Sequence, residues 1–457
     1  MKKLSLIQKY NVAGPRYTSY PTVPFWDNST FGSGLWVESF RRSFIESNDT
    51  EGISLYIHLP FCESLCTFCG CHKRITKRHE VEAPYIDAVL HEWNLYVALL
   101  PERPRIKEIH LGGGTPTFFA PAQLQRLIRG ILDKAIIADG HEFSFEGHPN
   151  NTTPAHLQTL YDLGFERVSF GVQDYSPKVQ RAIHRIQPFE KVKEATETAR
   201  AIGYKSVSHD LVFGLPFQTL DDVLYTIDKS NSLRPDRIAF YSYAHVPWIK
   251  GNGQRGFDES NLPSGDEKRR LYEIGMKHLQ EVGYHEIGMD HFALDSDTLY
   301  KSYADRSLHR NFMGYTASKT QLMIGLGISS ISDSWYGFAQ NEKDLNTYYE
   351  RLQRNEIPVF RGHLLDNEDL IIRRHILNLM CHFSTSWESP SLQIDESEME
   401  EIRTQLSEMV NDKLIEFKGE QLIVTEAGRP FVRNICMAFD LRLKRNVPQT
   451  KIFSMTV

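Results

Sequence analysis

The sequence lacks the features of secreted, membrane-spanning and nucleic-acid-binding proteins. No run of about 18 apolar residues is present to cross a bilayer. Gln8 and Lys9 interrupt the opening before an apolar stretch long enough for a secretory signal forms. Because 58 Asp and Glu outnumber 52 Lys and Arg, the formal charge is −6 and no overall positive field attracts nucleic acid or anionic lipid. We therefore expect a cytoplasmic protein that binds neither nucleic acid nor membrane.

Cysteine is also scarce, but four of the six cysteines fall within ten residues. The spacing Cys62-x3-Cys66-x2-Cys69 places three thiolates on one loop, where they can hold three irons of a four-iron cluster and leave the fourth iron open. A structural zinc site normally uses a second cysteine pair, and the two remaining cysteines stand alone far downstream. Spacing alone leaves open that Cys71 completes the set of ligands, as in a plain electron carrier.

Strand and helix patterns alternate through most of the chain. With 41% hydrophobic and 24% charged residues, the composition is that of a folded protein, and 457 residues are too many for one compact core. The predicted strands are Ile53–Pro60, Ile106–Leu111, Glu142–Glu146, Arg167–Gln173, Ser206–Phe213 and Arg237–Tyr243. The helices predicted between them are Val81–Leu100, Pro121–Ala135, Pro154–Leu163, Lys191–Ile202 and Leu220–Leu233. This alternation predicts an α/β fold with a partial or full parallel (β/α) barrel.

The remaining patterns divide the chain into three regions. Residues 1–50 form an N-terminal arm with turn chemistry, which we expect to cover the active site, and residues 51–360 form the barrel. In residues 361–457 a helix, a hairpin and a helix follow one another, which predicts a mainly helical, winged-helix-like domain. Its basic residues are interleaved with acidic ones, so a packing or lid role is favoured over DNA binding.

Polar and glycine residues collect at the carboxyl ends of the predicted strands, where the active site of such a barrel lies. They are Tyr56, Gly112-Gly113-Gly114-Thr115, Glu146, Gln173 and Asp210. The glycine run follows a strand and precedes a helix, a context in which backbone amides approach a charged ligand. It lacks the Lys-Ser/Thr of a phosphate loop and the third spaced glycine of the dinucleotide fingerprint, so it predicts neither a nucleoside triphosphate nor a dinucleotide.

Together with the cysteine loop, this glycine run resembles the radical S-adenosylmethionine enzymes. From Gln8 to Cys436 the sequence is similar, more narrowly, to the family of oxygen-independent coproporphyrinogen III oxidases. The motifs that carry this resemblance are Gly-Pro-Arg-Tyr-Thr-Ser-Tyr-Pro, Tyr-Ile-His-Leu-Pro-Phe-Cys, Cys-Gly-Cys, His-Leu-Gly-Gly-Gly-Thr-Pro-Thr, Gly-Val-Gln-Asp, Asp-Leu-Val-Phe-Gly-Leu-Pro, Gly-Met-Asp-His-Phe-Ala and Arg-Asn-Ile-Cys-Met.

The resemblance implies one 4Fe-4S cluster and two molecules of S-adenosylmethionine. Cys62, Cys66 and Cys69 would hold the cluster, with Cys71 beside it but not a ligand. The first S-adenosylmethionine would contact Tyr56, Gly113, Glu146 and Ile331, of which Tyr56 and Glu146 are also expected to act in catalysis. The second would contact Phe68, Gly114, Thr115, Gln173, Arg185, Asp210 and Ala244.

The reaction implied by the resemblance is the anaerobic conversion of two propionates of coproporphyrinogen III into vinyl groups, which gives protoporphyrinogen IX in haem biosynthesis. A 5′-deoxyadenosyl radical would remove a hydrogen atom, and CO₂ and one electron would follow. The resemblance also implies a reduced flavodoxin- or ferredoxin-like electron donor and a monomer. Arg16 and the pair His309-Arg310 are our candidate cations for the substrate propionates.

Two departures from the family pattern concern the site. Met313 stands where the family often has Gln on the substrate side, and His209 precedes Asp210 where an apolar residue is usual. Alternatives from the same fold are a haem-binding chaperone and an enzyme that methylates and opens haem. The chaperones generally lack the Gly-Pro-Arg-Tyr-Thr-Ser-Tyr-Pro arm and the Gly70-Cys71 pair, both of which this chain has.

Overall fold

The computed structural model of the chain describes residues 6–29, 31–248, 253–254, 256–386, 396–450 and 452–456. Two helices, α1 (Leu6–Tyr10) and α2 (Ser33–Ser47), precede the first strand. Strands and helices then alternate as β1 (Ile53–Leu59), β2 (Phe61–Cys62), β3 (Arg74–Ile75), α3 (Glu82–Leu99), β4 (Arg105–Gly113), α4 (Pro121–Leu132), β5 (Ile136–Gly147), α5 (Pro154–Tyr161), β6 (Phe165–Gln173), α6 (Pro177–Ala182), α7 (Phe189–Ile202), β7 (Ser206–Phe213), α8 (Leu220–Ser232) and β8 (Arg237–Ser242).

Shorter strands fill the next part of the chain, and helices dominate its end. The middle elements are α9 (Gly265–Glu281), β9 (His285–Gly288), β10 (His291–Ala293), α10 (Thr298–Ala304), β11 (His309–Asn311), β12 (Gly314–Thr316), β13 (Leu322–Leu326), β14 (Ile331–Ser334), β15 (Gly337–Asn341), α11 (Leu345–Gln353) and β16 (Val359–Leu364). The last elements are α12 (Asn367–His382), β17 (Ser384–Ser386), α13 (Glu396–Asn411), β18 (Ile415–Lys418), β19 (Gln421–Val424), α14 (Val432–Phe439) and α15 (Leu441–Arg445).

Twelve strands form one sheet in the order β16-β15-β14-β13-β1-β4-β5-β6-β7-β8-β10-β9. The strands from β13 to β8 in this order are all parallel to their neighbours, and antiparallel strands extend both edges. Because β13 and β8 do not pair with each other in the described sheet, the parallel strands form a partial barrel. The structure confirms the predicted α/β class and the six predicted strands, of which β5 starts earlier, at Ile136.

The two faces of each barrel strand differ in polarity. In β1, Ile53, Leu55 and Ile57 are fully buried in a core with residues of α3, such as Trp93. The intervening Tyr56 lies on the opposite, inner face, because successive side chains of a strand alternate. The inner face is therefore available for chemistry, while apolar packing against the helices holds the strand in place.

A small hairpin, β11 with β12, lies against the inner face of the barrel. Oγ1 of Thr316 donates a hydrogen bond to Oε1 of Glu108 over 2.9 Å, and Oγ of Ser54 donates to the other carboxylate oxygen over 3.0 Å. Both contacts are buried and lie on the amino-terminal side of β4 and β1. The tip of the hairpin, Phe312 and Met313, reaches the cavity at the carboxyl ends of the strands.

The N-terminal arm packs largely on the C-terminal region. Tyr10, Tyr17 and Tyr20 are buried in one apolar cluster with residues of α12, α13 and α14. The guanidinium of Arg433 donates to the carbonyl oxygens of Gly14 and Pro15, the latter over 2.8 Å. The boundaries at residues 50 and 360 stay a prediction, and β16 continues to Leu364. Among the described residues, no helix is both long and apolar enough for a bilayer crossing.

Candidate active site

The carboxyl ends of the barrel strands surround a cavity of about 650 Å³. Predicted site residues Tyr56, Gly113, Glu146 and Ile331 all line it, so the structure brings together the four residues assigned to the first S-adenosylmethionine. The other lining residues include His58, Cys71, His72, Lys73, His110, Phe312, Met313, Gln340 and Lys343. They come from distant parts of the chain that the sheet places side by side.

Gly113 of the glycine run lines the cavity, and none of the three glycines has room for a β-carbon. Gly113 has a φ of +112°, and a β-carbon at this position would lie 2.6 Å from Nδ1 of His58. At Gly112 it would lie 3.1 Å from the Tyr56 ring and 3.2 Å from the Glu146 carboxylate. At Gly114 it would lie 2.5 Å from the backbone of Pro60. The backbone of Gly112, Gly113 and Gly114, called the cradle below, therefore comes close enough to the site to contact a charged ligand.

A chain of hydrogen bonds fixes the rings beside this cradle. The hydroxyl of Tyr56 lies 3.0 Å from Nδ1 of His58, whose Nε2 lies 2.9 Å from the carbonyl oxygen of His72. The His72 carbonyl can only accept, so His58 donates from Nε2 and Tyr56 donates to Nδ1. Burial lowers the pKa of His58 to about 4, which keeps the ring neutral near pH 7.

Glu146 supplies the negative charge of the cavity. Burial opposes its ionisation, but hydrogen bonds from His110 and from the Gly113 amide lower its pKa below the ordinary value. Nε2 of His110 lies 3.4 Å from Oε1 of Glu146, and its Nδ1 lies 2.8 Å from Oγ of Ser144. A carboxylate in this position is ready to accept hydrogen bonds from a cationic ligand group. Sequence reasoning missed His110, although its position two residues before Gly112 places both on the inner face of β4.

The cysteine loop lies directly beside the cradle, and all six cysteines of the chain are free thiols. Sγ of Cys62 is 3.3 Å from Oγ1 of Thr115, and Nη1 of Arg185 is 3.7 Å from Sγ of Cys66. A hydrogen bond from Cys71 and the charge of Lys73 lower the pKa of the Cys69 thiol to about 6. Thiolate sulfurs on one loop are the donors that an iron–sulfur cluster requires, so the residues fit this group.

The described residues offer no support for a mononuclear zinc site. No group of three or more His, Cys, Asp or Glu in the described ranges is arranged to hold a single metal ion. A four-iron cluster places different thiolates on different irons, so it does not need such a group.

The residues assigned to a second S-adenosylmethionine lie on the neighbouring strands and loops. Nη2 of Arg185 donates to the carbonyl oxygen of Gly171 over 2.6 Å, close to Gln173, which has a φ of +69°. Oγ of Ser169 donates to Asp210 over 2.8 Å, and burial raises the pKa of Asp210 to about 7. Nε2 of Gln254 donates hydrogen bonds to the carbonyl oxygens of Phe68 and Ala244, over 2.9 and 3.0 Å.

The three candidate substrate cations, Arg16, His309 and Arg310, do not line this cavity, and their role in substrate binding stays a prediction. Nη2 of Arg16 lies 2.5 Å from Oδ2 of Asp290, so its charge is already paired within the protein. Arg310 is buried and donates to the backbone carbonyls of Arg16 and Tyr17, over 3.4 Å each, while its Nη1 has no hydrogen-bond partner within the described residues. His309 lines a different cavity, together with Trp335. The cations at the main cavity are Lys73 and Lys343, which sequence reasoning did not single out.

The chain is similar to known proteins, and these comparisons identify its family. A model of the radical SAM superfamily matches residues 56–229. The chain is 38% identical to the oxygen-independent coproporphyrinogen III oxidase of Helicobacter pylori strain J99, over 95% of this chain and 96% of that protein. The chain belongs to the family of oxygen-independent coproporphyrinogen III oxidases. The enzyme of that name from Escherichia coli is 36% identical, over 97% of this chain and 96% of that protein.

A solved structure extends the family assignment to the fold. The coproporphyrinogen III oxidase of Escherichia coli, described as a radical SAM enzyme, superposes with a TM-score of 0.87 at 34% identity. The match covers 93% of this chain and 97% of the other. The radical SAM fold predicted from the motifs is thus confirmed, and the chain is an oxidoreductase. Membership implies a 4Fe-4S cluster and S-adenosylmethionine as cofactors.

Proposed function

We propose that the protein converts two propionate side chains of coproporphyrinogen III into vinyl groups and yields protoporphyrinogen IX for haem biosynthesis. The observation that carries this proposal is the match to oxidases of that name along nearly the whole of both chains. Each propionate loses one hydrogen atom, CO₂ and one electron. When bound, the cluster and S-adenosylmethionine would supply the chemistry that removes the hydrogen atom from an unactivated carbon.

The residues at the cavity orient the cofactor. Cys62, Cys66 and Cys69 would hold the cluster, and the backbone at Gly113 would receive the methionine end of S-adenosylmethionine. Glu146 is anionic at neutral pH and would accept a hydrogen bond from the positively charged amino group. Ile331 would cover its apolar part. Tyr56 is held by His58, so its position is fixed before the ligand arrives.

A second S-adenosylmethionine is part of the proposal. Its residues would be Phe68, Gly114, Thr115, Gln173, Arg185, Asp210 and Ala244. Support comes from Arg185, whose Nε is buried without a hydrogen-bond partner within the described residues. Because a buried donor without a partner is costly, a ligand that accepts this hydrogen bond would stabilise the site. Asp210 adds a carboxyl group on the same side of the barrel.

The substrate would bind in the same cavity. Lys73 and Lys343 line the cavity and are positively charged, as propionate recognition requires. Burial and the nearby Arg361 cation lower the pKa of Lys343. An incoming carboxylate would stabilise the protonated form of Lys343 and raise this pKa again. Met313 lies between the main cavity and the barrel interior. It would contact the apolar ring system rather than donate a hydrogen bond.

The proposal also includes the cellular setting. We expect a cytoplasmic monomer that receives electrons from a reduced flavodoxin- or ferredoxin-like protein. Such a protein would need to reach the edge of the cysteine loop, where Cys71 is exposed.

The proposed reaction is tested with anaerobically reconstituted protein, dithionite, S-adenosylmethionine and coproporphyrinogen III. CO₂ and protoporphyrinogen IX should form together with 5′-deoxyadenosine. Lys343→Met should raise the KM for coproporphyrinogen III about tenfold and leave S-adenosylmethionine binding unchanged, because one propionate contact is lost. Formation of 5′-deoxyadenosine without CO₂ would contradict the proposed substrate.

A further inference from the structure

The segment that follows the cysteine loop is strongly basic. Residues 72–79 contain Lys73, Arg74, Lys77 and Arg78 and no Asp or Glu, whereas the whole protein has a charge of −6. The segment itself is therefore opposite in charge to the whole protein; the carboxylates that adjoin it are Glu63 and Glu82, which contact His79, Glu80, which follows it in sequence, and Asp344, which contacts Arg74. A local positive field of this kind attracts an acidic partner and accelerates its encounter.

Backbone contacts hold the basic segment against the cysteine loop. Strand β3 pairs with β2 in parallel, and Ile75 lies opposite Cys62 in their register. The amide of Thr76 donates to the carbonyl oxygen of Cys62 over 2.9 Å. Nζ of Lys73 donates to the carbonyl oxygens of Cys69 and Cys71, over 3.2 and 3.3 Å. The segment is thus the surface neighbour of the predicted cluster ligands.

The side chains of this surface are open to solvent. Ile75 is 46% exposed and Leu65, within the cysteine loop, is 39% exposed. Lys77 and Arg78 are exposed, and no carboxylate of the described residues lies within 4.0 Å of their charged groups. Arg74 has one partner, Asp344, at 3.4 Å, but both side chains are exposed and solvent screens the pair.

We propose that this cluster flank, defined as Leu65, Lys73, Arg74, Ile75, Lys77 and Arg78, is the docking surface for an acidic, flavin-containing one-electron carrier protein. The inference rests on the proposed function. Two exposed apolar side chains, Leu65 and Ile75, surrounded by charged residues and close to a redox centre, suit a small and short-lived interface. The reduced flavin loses one electron and becomes a semiquinone, the cluster gains that electron, and no atom is transferred.

Substrate recognition is the competing role for these cations. Lys73 lines the main cavity, so it serves the substrate as well, but Lys77 and Arg78 do not line it. Because Lys77 and Arg78 lie beyond β3 and are exposed, an acidic protein can contact them without entering the cavity. The decisive variant therefore changes Lys77 and Arg78 and leaves Lys73 in place.

The test is a comparison of two double charge reversals, Lys77→Glu with Arg78→Glu, and Lys193→Glu with Lys277→Glu as the control. The control changes the net charge equally, at exposed lysines on α7 and α9. Binding of a purified oxidised flavodoxin to each holoprotein is measured by calorimetry at 20 and 300 mM salt. Reduction of the cluster by flavodoxin hydroquinone and by dithionite is followed by anaerobic stopped flow.

We expect the Lys77/Arg78 reversal to weaken flavodoxin binding and slow reduction by flavodoxin at least tenfold at 20 mM salt, with a much smaller effect at 300 mM. Reduction by dithionite should be unchanged, and the control should behave like the wild type. Three results would overturn the docking surface. They are an equal loss of flavodoxin binding in the control, unchanged flavodoxin binding in the Lys77/Arg78 reversal, and reduction by dithionite that is slowed as much as reduction by flavodoxin. Failure of coproporphyrinogen III turnover alone would contradict the proposed function but not this binding result.

Discussion

Gly113 and His58 are in such close contact that a β-carbon at Gly113 would lie 2.6 Å from Nδ1 of the histidine. The ring cannot move aside easily, because Tyr56 and the carbonyl oxygen of His72 hold its two nitrogens. Backbone conformation adds to the restriction, since Gly113 has a φ of +112°. Gly113 therefore has both a conformation and a contact that another residue would disturb.

Gly113→Ala should weaken S-adenosylmethionine binding more than tenfold, because the added methyl group displaces His58 or the backbone amides around it. Equilibrium dialysis with labelled S-adenosylmethionine measures the effect. Gly34→Ala in α2 is the matched control, since a β-carbon there meets no atom within 4 Å. Unchanged binding in Gly113→Ala would show that the cradle is not where the cofactor binds.

The second proposed S-adenosylmethionine site predicts a change in stoichiometry. The wild-type protein should bind two molecules per chain, and Arg185→Met should bind one, because the substitution removes the guanidinium, including its buried Nε, that would donate to the second ligand. The same dialysis measurement provides the ratio, and iron content provides the control for an intact cluster. A wild-type ratio of one would contradict the second site.

The pair Arg16 and Asp290 predicts an effect of the arm on turnover. Arg16→Ala leaves the Asp290 carboxylate, which is 9% exposed, without its partner, so the arm should dock less tightly and turnover should fall. Asp290→Asn in the Arg16→Ala background should recover part of the lost stability, because the unpaired charge is removed. Thermal unfolding of the four proteins measures this coupling. If the two substitutions changed thermal stability additively, the pair would not anchor the arm.

His209 predicts how stability changes in acid. Its ring is fully buried on the helix side of β7, near Oγ1 of Thr196, and burial lowers its pKa to about 3. The unfolded chain binds a proton at this site below about pH 6.5 and the folded protein does not, so stability falls as the pH drops from 6.5 towards 3. By pH 5 the loss at this one site is roughly 2 kcal/mol.

His209→Leu removes this titration. The difference in unfolding free energy between pH 7.5 and pH 5 should shrink by roughly 2 kcal/mol in the variant, as measured by urea unfolding followed by tryptophan fluorescence. Other buried histidines, such as His291, continue to titrate, so some pH dependence persists. An unchanged difference would mean that His209 is protonated as easily in the folded protein as in the unfolded chain.

Local periodicity in the sequence predicted six of the seven parallel strands in the described sheet, and β13 was missed. Each strand from β1 to β8 that belongs to the barrel has a buried apolar face against helices, and this pattern is visible within ten residues. Tyr56, Glu146 and Asp210 were predicted because they interrupt such patterns at a strand end. The hairpin β11–β12 was not predicted, because its three-residue strands are stabilised by the barrel interior rather than by their own sequence.

The charged residues of the site were predicted less well. Lys343 is 270 residues from Lys73 in the chain, and the two regions meet because β13 pairs with β1 and continues through β14 and β15 in the sheet. Arg310 was expected to bind substrate; it is buried and contacts the backbone of the arm, so this role stays a prediction. Such roles depend on the partner that the fold supplies, which no local pattern contains.

The most direct test of the account is Mössbauer spectroscopy of the Cys71→Ala variant reconstituted with ⁵⁷Fe, before and after addition of S-adenosylmethionine. We predict that four irons per chain are retained and that the signal of one iron changes when S-adenosylmethionine binds. Loss of the cluster in this variant, or four irons that do not respond to S-adenosylmethionine, would contradict a cluster held by Cys62, Cys66 and Cys69 alone.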